Sequence, residues 1–320
     1  MHFTMPKLSE LQPTLNTSPI KGLFVSEYLA TDEIISDWDF GLDADANSAT
    51  GFSTTIVRDE TTAELEGRNF YENYKLVDGK FVPETYHIRP FGGGFEVDLT
   101  HDELANGVIT ENKSRSMMRL ATQLAVKQFI LGTGEGKDVL GLNKAVQEYK
   151  QVAPTALNFS AFMEEMTTSA AFKVLADIRK AKALSPKQLN LAYLGDTDFA
   201  ALSMVMSITN QSNAIVDFNG TTHINFDGIK WKRIPDNFTG TLPYVADPEN
   251  PDVKVQSTRA IYLTRESRED GIYKSAPRED KLIRYQAPVN VGRPLAEGFV
   301  EFLFANVYKV RNAVVGIPVI

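Results

Sequence analysis

Short runs in which apolar and polar residues alternate fill positions 52–99. STTIV, NFYENYKLV, KFV and TYHIRPF each read as strands. Between two of them, Val77-Asp78-Gly79-Lys80 carries the Asp-Gly pair that suits the two positive-φ positions of a tight hairpin turn. Tyr74, Leu76, Phe81 and Val82 flank this turn, while Glu64, Glu66, Arg68, Glu72, Lys75, Lys80 and Glu84 keep the ribbon charged. Two strands alone hold no stable core in water, so such a ribbon lies on something else, most economically a neighbouring copy of the chain. Residues 1–51, rich in Pro, Thr, Ser and Asp around short apolar clusters such as GLFVSEYL, read as an extended arm with small helical or turn pieces, dependent on neighbours for burial.

The period then lengthens. Thr100 and Glu103 have capping-box spacing for a short helix at HDEL. A longer helix is expected from Thr110 or Asn112 to Leu131, with Met117, Leu120, Ala121, Leu124, Val126 and Phe129 as its apolar face and Gly132 as its stop. A second helix is expected from Ala156 to about Leu184, burying Phe162, Met163, Met166, Val174, Leu175 and Ile178, with Glu164-Glu165 solvated. Next come a strand at QLNLAYLG, a helix capped by Asp196 or Thr197, and a hairpin turning at Asp227-Gly228. Together these make an α/β unit of about 100 residues. RAIYLTRE, DGIYKS, KLIRYQAPV and FVEFLFANVYKVRNAVVGIPVI return to strands, the last ending in an apolar tail that requires burial.

Candidate chemistry is thin. QFILGTGEGKDVLGL resembles a phosphate cradle only at first sight, because a P-loop needs Gly-x-x-x-x-Gly-Lys-Ser/Thr. Counting from Gly136, Leu131 stands at the first glycine and Asp138 at the hydroxyl, where a carboxylate would repel phosphate. Lys137 likewise occupies the third glycine of a dinucleotide fingerprint, and a helix rather than a strand leads into the loop. The glycines therefore end a long helix and turn the chain. Asp43-x-Asp45-x-Asn47 begins like a calcium loop, but Ser48 replaces its glycine and Thr54 its glutamate, leaving a polar turn. The histidines, His2, His87, His101 and His223, form no ligand pair, and no Gly-x-Ser-x-Gly elbow occurs. Gly92-Gly93-Gly94 reads as a bend that returns a hairpin strand to the body. No metal, cofactor or catalytic residue is assigned.

Composition narrows the classes further. A chain of 320 residues with 43% hydrophobic and 23% charged residues is globular. Its 41 acids against 33 bases, net −8 and without a basic block, argue against sequence-independent binding of nucleic acid. The absence of cysteine excludes disulfides and thiolate chemistry. The N-terminus has no secretion signal and no run reaches membrane-spanning length, so no membrane partner is expected.

The order of arm, charged hairpin, short helix, long helix, α/β unit and return strands resembles the major capsid proteins of tailed bacteriophages. This is the fold named for phage Hong Kong 97, shared with encapsulins. The resemblance is carried by FEVDLTHDEL, QFILGTGEGKDVLGL and the terminal FANVYKVRNAVVGIPVI, and spans most of residues 50–320 as an element order. It implies an α+β capsid fold: N-terminal arm 1–51, extended hairpin loop 52–99, peripheral domain 100–155 and 251–320 with a spine helix, and α/β axial domain 156–250. The loop residues Tyr74, Lys75, Asp78, Gly79, Lys80 and Phe81 would touch a neighbouring subunit, and Met117, Leu120, Leu124 and Phe129 would lie on the spine helix.

The resemblance further implies a homo-oligomeric shell of pentamers and hexamers in the virion, assembled in the bacterial cytoplasm and enclosing double-stranded DNA without sequence-specific binding. A portal, a separate scaffolding protein (or a processed chain) and possible decoration proteins would be its partners. Some family members form a lysine–asparagine cross-link. Lys75 and Lys80 lie in the corresponding loop, but no partner asparagine or glutamate matches. An encapsulin-like compartment shell is one alternative. A soluble carbohydrate-active or ligand-binding enzyme is another, and it predicts a monomer or small oligomer.

Overall fold

In the computed structural model the described residues are 33–36, 38, 40–41, 45–47, 51–59, 80–211, 213–216, 222–245, 254–277, 283–290 and 294–320. After helix α1 (Glu33–Ser36), short strands β1 (Phe40–Gly41) and β2 (Asp45–Asn47) lead into β3 (Gly51–Asp59), β4 (Phe81–His87) and β5 (Arg89–Asp98). The expected turn at 77–80, apart from Lys80, lies outside the described residues. What is described of the ribbon is β3 against β4, from Ser53↔His87 to Asp59↔Phe81. The Asp45–Asn47 stretch, read from sequence as part of a polar turn, is a strand paired with Gly51–Ser53.

Helix α2 (Leu99–Leu104) is capped by Asp98, whose carboxylate accepts from the N–H groups of Thr100 and His101. The capping box expected at Thr100 and Glu103 is thus displaced by two residues. Asp98 is free to serve because it ends β5 in extended backbone. Helix α3 runs Val108–Leu131, starting earlier than expected. Asp102 reaches over to accept from Thr110 N at 2.9 Å and Thr110 Oγ1 at 2.6 Å, satisfying its first turn.

The buried face of α3 is also rotated from the expected one. Ser114, Met118, Ala121, Thr122, Ala125, Val126, Phe129 and Ile130 are buried, whereas Leu120 is 53% exposed and Met117 and Leu124 are half-buried. The helix lies close to the glycine-bearing strand β5, where a Cβ at Gly93 would stand 3.3 Å from Met117 Sδ. Small side chains let a helix approach a sheet this closely, so bulk is a poor guide to its inner face.

Strand β15 (Leu295–Tyr308) organises the first sheet. Its Leu295–Phe304 stretch pairs with β5, Ala305–Tyr308 with β13 (Ile272–Ser275), and its other edge with β14 (Ile283–Asn290). Phe302 and Phe304 from this strand, Phe129 from α3 and Trp38 from the arm form the centre of one core. The arm therefore buries Trp38 and Phe40 within its own subunit, not against neighbours as expected.

Helix α4 (Leu142–Glu148) turns the chain towards the second unit. There the single helix expected over 156–184 is two, α5 (Phe159–Glu165) and α6 (Thr168–Lys182). Met166 adopts φ +46°, and Thr167 caps α6 by accepting from Ala170 N at 3.2 Å. A Thr-rich junction supplies its own cap, which competes with helix continuation. Met166 is accordingly exposed, not a core methionine, while Glu164 and Glu165 are solvated as expected.

Strand β6 (Leu191–Gly195) precedes α7 (Asp196–Thr209), whose first turn is held by Asp236, accepting from Thr197 N and Oγ1, rather than by Asp196 or Thr197 as cap. Strand β7 is Asn213–Val216, and β8 (Thr222–Phe226) and β9 (Ile229–Ile234) turn at Asp227 (φ +55°) and Gly228 (φ +76°) as expected. Strands β10 (Pro243–Val245) and β11 (Lys254–Gln256) pair with each other. The larger sheet has the order β16-β12-β6-β9-β8-β7, where β12 is Arg259–Thr264 and β16 is Val314–Val319. Two of its strands thus come from 251–320, which the sequence reading had assigned whole to the long-helix unit. The apolar terminal tail is buried there.

A buried ionic contact joins the two sheets. Lys274 Nζ on β13 donates to Glu266 Oε1 at 2.6 Å, and Tyr193 OH on β6 donates to the same oxygen at 2.5 Å. The ammonium also lies 4.5 Å from the Phe129 ring centroid.

Candidate assembly surface

The alternation in STTIVRD sends successive side chains of β3 to opposite faces. Thr54, Ile56 and Arg58 are buried against the body, while Thr55 and Val57 face outward. On β4, Phe81, Pro83 and Thr85 share that outer face by register, opposite Asp59, Val57 and Thr55. Val57 and Phe81 are each 65% exposed, and the Thr55 and Thr85 hydroxyls hydrogen-bond at 2.9 Å. The outer face at the described end of the ribbon is thus predominantly apolar and neutral.

The inner face is tied down. Arg58 donates through Nε (3.1 Å) and Nη2 (2.7 Å) to the carbonyl of Tyr308, and through Nη2 to the hydroxyls of Tyr149 (3.3 Å) and Tyr86. Its Nη1 pairs with Glu84 Oε2 at 2.5 Å, and the guanidinium carbon stands 5.4 Å from the Tyr149 ring centroid. Burial works to lower the Arg58 pKa, but Tyr86, Tyr149 and Glu84 outweigh it and hold the guanidinium above its ordinary value. Burial drives the Tyr86, Tyr149 and Tyr308 phenols upward. Arg58 is therefore a buried cation among neutral phenols, paired with Glu84, and the Arg311 guanidinium carbon stands 5.8 Å from the Tyr149 ring centroid. Closer to the body, the hydroxyls of Thr54 and Ser275 hydrogen-bond to each other.

Beside this base lies the glycine loop. Gly132 follows α3 at a close approach, where a Cβ would stand 2.2 Å from Val139 O; Gly134 and Gly136 take φ of +78° and +58°. Asp138 fills the middle of the loop, accepting from Gln128 Nε2 and Thr133 Oγ1, both at 2.9 Å. A cavity of about 210 Å³ opens between loop and ribbon, lined by Glu84, His87, Arg89, Glu135, Asp138 and Asn306 among others. Two of its carboxylates are already engaged, Glu84 by Arg58 and Asp138 by the loop. Among the described residues no three His, Cys, Asp or Glu side chains gather as metal ligands, and no helix is long and apolar enough to cross a membrane.

Of the residues singled out from sequence, Tyr74, Lys75, Asp78 and Gly79 lie outside the described residues. Lys80 is exposed and Phe81 opens β4 on the outer face. On α3, Phe129 is wholly buried, Met117 and Leu124 line the edge of the core, and Leu120 points away from it. Arg58 and its three tyrosines were missed. The signal was present in Arg58, which continues the buried parity of Thr54 and Ile56.

No protein-family model and no curated protein matches the chain. Solved structures do. The chain is similar to the holo-SrpI encapsulin complex from Synechococcus elongatus (TM-score 0.58, 11% identity, covering 89% of this chain and 86% of that one). It is similar to a chain of Mycobacterium phage Bobi (TM-score 0.55, 11% identity, 92% and 90%) and to the capsid of Myoviridae phage XM1 (TM-score 0.54, 12% identity, 88% and 90%). The chain has the α+β Hong Kong 97-type capsid fold.

Proposed function

We propose that this protein is a major capsid protein, a non-enzymatic subunit that self-assembles into the icosahedral shell enclosing phage DNA. The observation that carries the reading is the fold likeness over about nine-tenths of each chain, joined to a β3–β4 ribbon whose outer face is exposed and apolar at its described end. Such a face gains burial most economically against another copy of the chain. On this reading residues 60–80 with Phe81 form the contact to the neighbour, Tyr74, Lys75, Asp78, Gly79 and Lys80 included. The unit built on α5 to β9 would meet its copies around the symmetry axes. A scaffolding protein, a portal and decoration proteins would complete the particle. The likeness to an encapsulin chain supports a second reading, a protein compartment with the same subunit contacts.

The test uses the register of the ribbon. Asp59 and Phe81 are directly paired, so replacing residues 60–80 by Asn-Gly closes β3 and β4 with a two-residue turn. The variant is expected to fold as a soluble subunit and to form no shells under conditions where the full chain does. Shells of normal yield from the variant would overturn the assignment of this segment to the inter-subunit contact.

A further inference from the structure

A ribbon that docks on a neighbour needs more than a sticky face, because it must leave its own subunit in one direction. Two strands joined only to each other would swing as a unit. Here β2 pairs with β3, Ile56 and Tyr86 are buried in the core, and Arg58 adds the directional tie. Arg58 lies on β3, two positions from Ile56, and its guanidinium reaches three separate elements: the Tyr308 carbonyl at the end of β15, the Tyr149 hydroxyl just after α4, and Tyr86 and Glu84 on the paired strand β4.

The geometry of the contact is directional. Nε and Nη2 converge on one carbonyl at 3.1 and 2.7 Å, and the Tyr149 ring packs 5.4 Å from the guanidinium carbon. A planar fork held at its edge and beside an aromatic ring fixes orientation as well as distance, which a lysine ammonium cannot do. Tyr308 is itself immobilised: its hydroxyl donates to Leu140 O at 3.1 Å, in the glycine loop that ends the long helix. The Thr54–Ser275 hydroxyl contact supplies a second point along the same face. The ribbon's base is therefore referred to β13, β15 and α4 together.

We infer that Arg58 is a positioning residue for assembly, a latch that sets the angle at which the ribbon leaves the subunit and so the curvature with which subunits close. This inference rests on the shell reading above and goes beyond it, since it assigns shell geometry to a residue buried within one subunit. Disturbing the latch would leave the outer docking face, Val57 and Phe81, chemically intact while aiming it wrongly.

The experiment compares wild type, Arg58→Lys, Arg58→Met and the control Glu103→Ala, an exposed side chain on α2. Amide hydrogen exchange is measured on the unassembled subunits, and shell diameter by electron microscopy after assembly. Both Arg58 variants are expected to keep wild-type protection across 108–131, which shows that they fold. They are expected to lose protection over 81–87 by about tenfold or more, and to give open, tubular or unevenly sized particles. Glu103→Ala is expected to match wild type in exchange. Unchanged exchange over 81–87 in Arg58→Lys and Arg58→Met overturns the latch. Lost protection with shells of wild-type diameter overturns its role in curvature. A wild-type chain that never assembles overturns the shell reading and the curvature role with it, while the exchange result still decides the latch.

Discussion

The ring of Trp38 stands 5.2 Å from that of Phe129, centroid to centroid, so a residue of the N-terminal arm sits in the core organised by the long helix. Trp38 is fully buried and also lies 5.1 Å from Phe304. Trp38→Ala is expected to destabilise the subunit by about 3–5 kcal/mol, the usual cost of truncating a large buried aromatic. Urea unfolding followed by circular dichroism measures this. A loss below about 1 kcal/mol would mean that the arm contributes little to the fold.

Adjacent glycines on β5 should behave differently. A Cβ at Gly92 would lie 1.8 Å from Val300 O, an immovable backbone atom, whereas at Gly93 the nearest atom is Met117 Sδ at 3.3 Å, the flexible part of a side chain. Gly92→Ala is expected to prevent folding or to lower the melting temperature by well over about 10 °C, and Gly93→Ala to be tolerated. Comparable melting temperatures for the two variants would contradict this packing.

Lys274 and Glu266 form a pair with side chains 0% and 4% exposed. Removing one partner strands the other, so Lys274→Met or Glu266→Gln alone is expected to cost about 3–5 kcal/mol. The double variant should recover much of that loss, because two neutral side chains leave no buried charge. A double variant as unstable as the sum of the single ones would show that the pair is not coupled.

The glycine loop should loosen in acid. Burial alone would raise the Asp138 pKa, but hydrogen bonds from Thr133 and Gln128 outweigh it and hold the carboxyl below its ordinary value. A depressed native pKa adds stability that is present above the unfolded value near 4 and is lost as pH falls through the lower native one. Amide exchange over 132–141, corrected for its intrinsic pH dependence, is expected to accelerate in that window. Asp138→Asn should show faster exchange at neutral pH and no acid step; an acid step that persists in this variant would assign it to another group.

Much of the element order was legible because the period of the sequence changes sharply, from alternation in STTIV to helical spacing after FEVDLTHDEL. The Asp227-Gly228 turn was legible because two successive positive-φ positions demand such residues. What escaped was set by partners distant in sequence. Leu120 looks like core by spacing, yet the packed helix turns Met118, Thr122 and Ala125 inward instead. Asp236 caps a helix that starts forty residues earlier, and β12 and β16 complete a sheet begun at Leu191. The Arg58 cluster gathers residues from four elements, and no local spacing announces it.

Sedimentation velocity with negative-stain microscopy of the chain expressed alone tests whether the subunits assemble. Wild type is expected to form closed shells or capsomer rings, and Val57→Glu with Phe81→Glu to remain as folded single subunits, because charge on the outer face opposes its burial. A wild-type chain that stays a clean monomer at high concentration, with or without added scaffold or osmolyte, would rule out self-assembly into a shell.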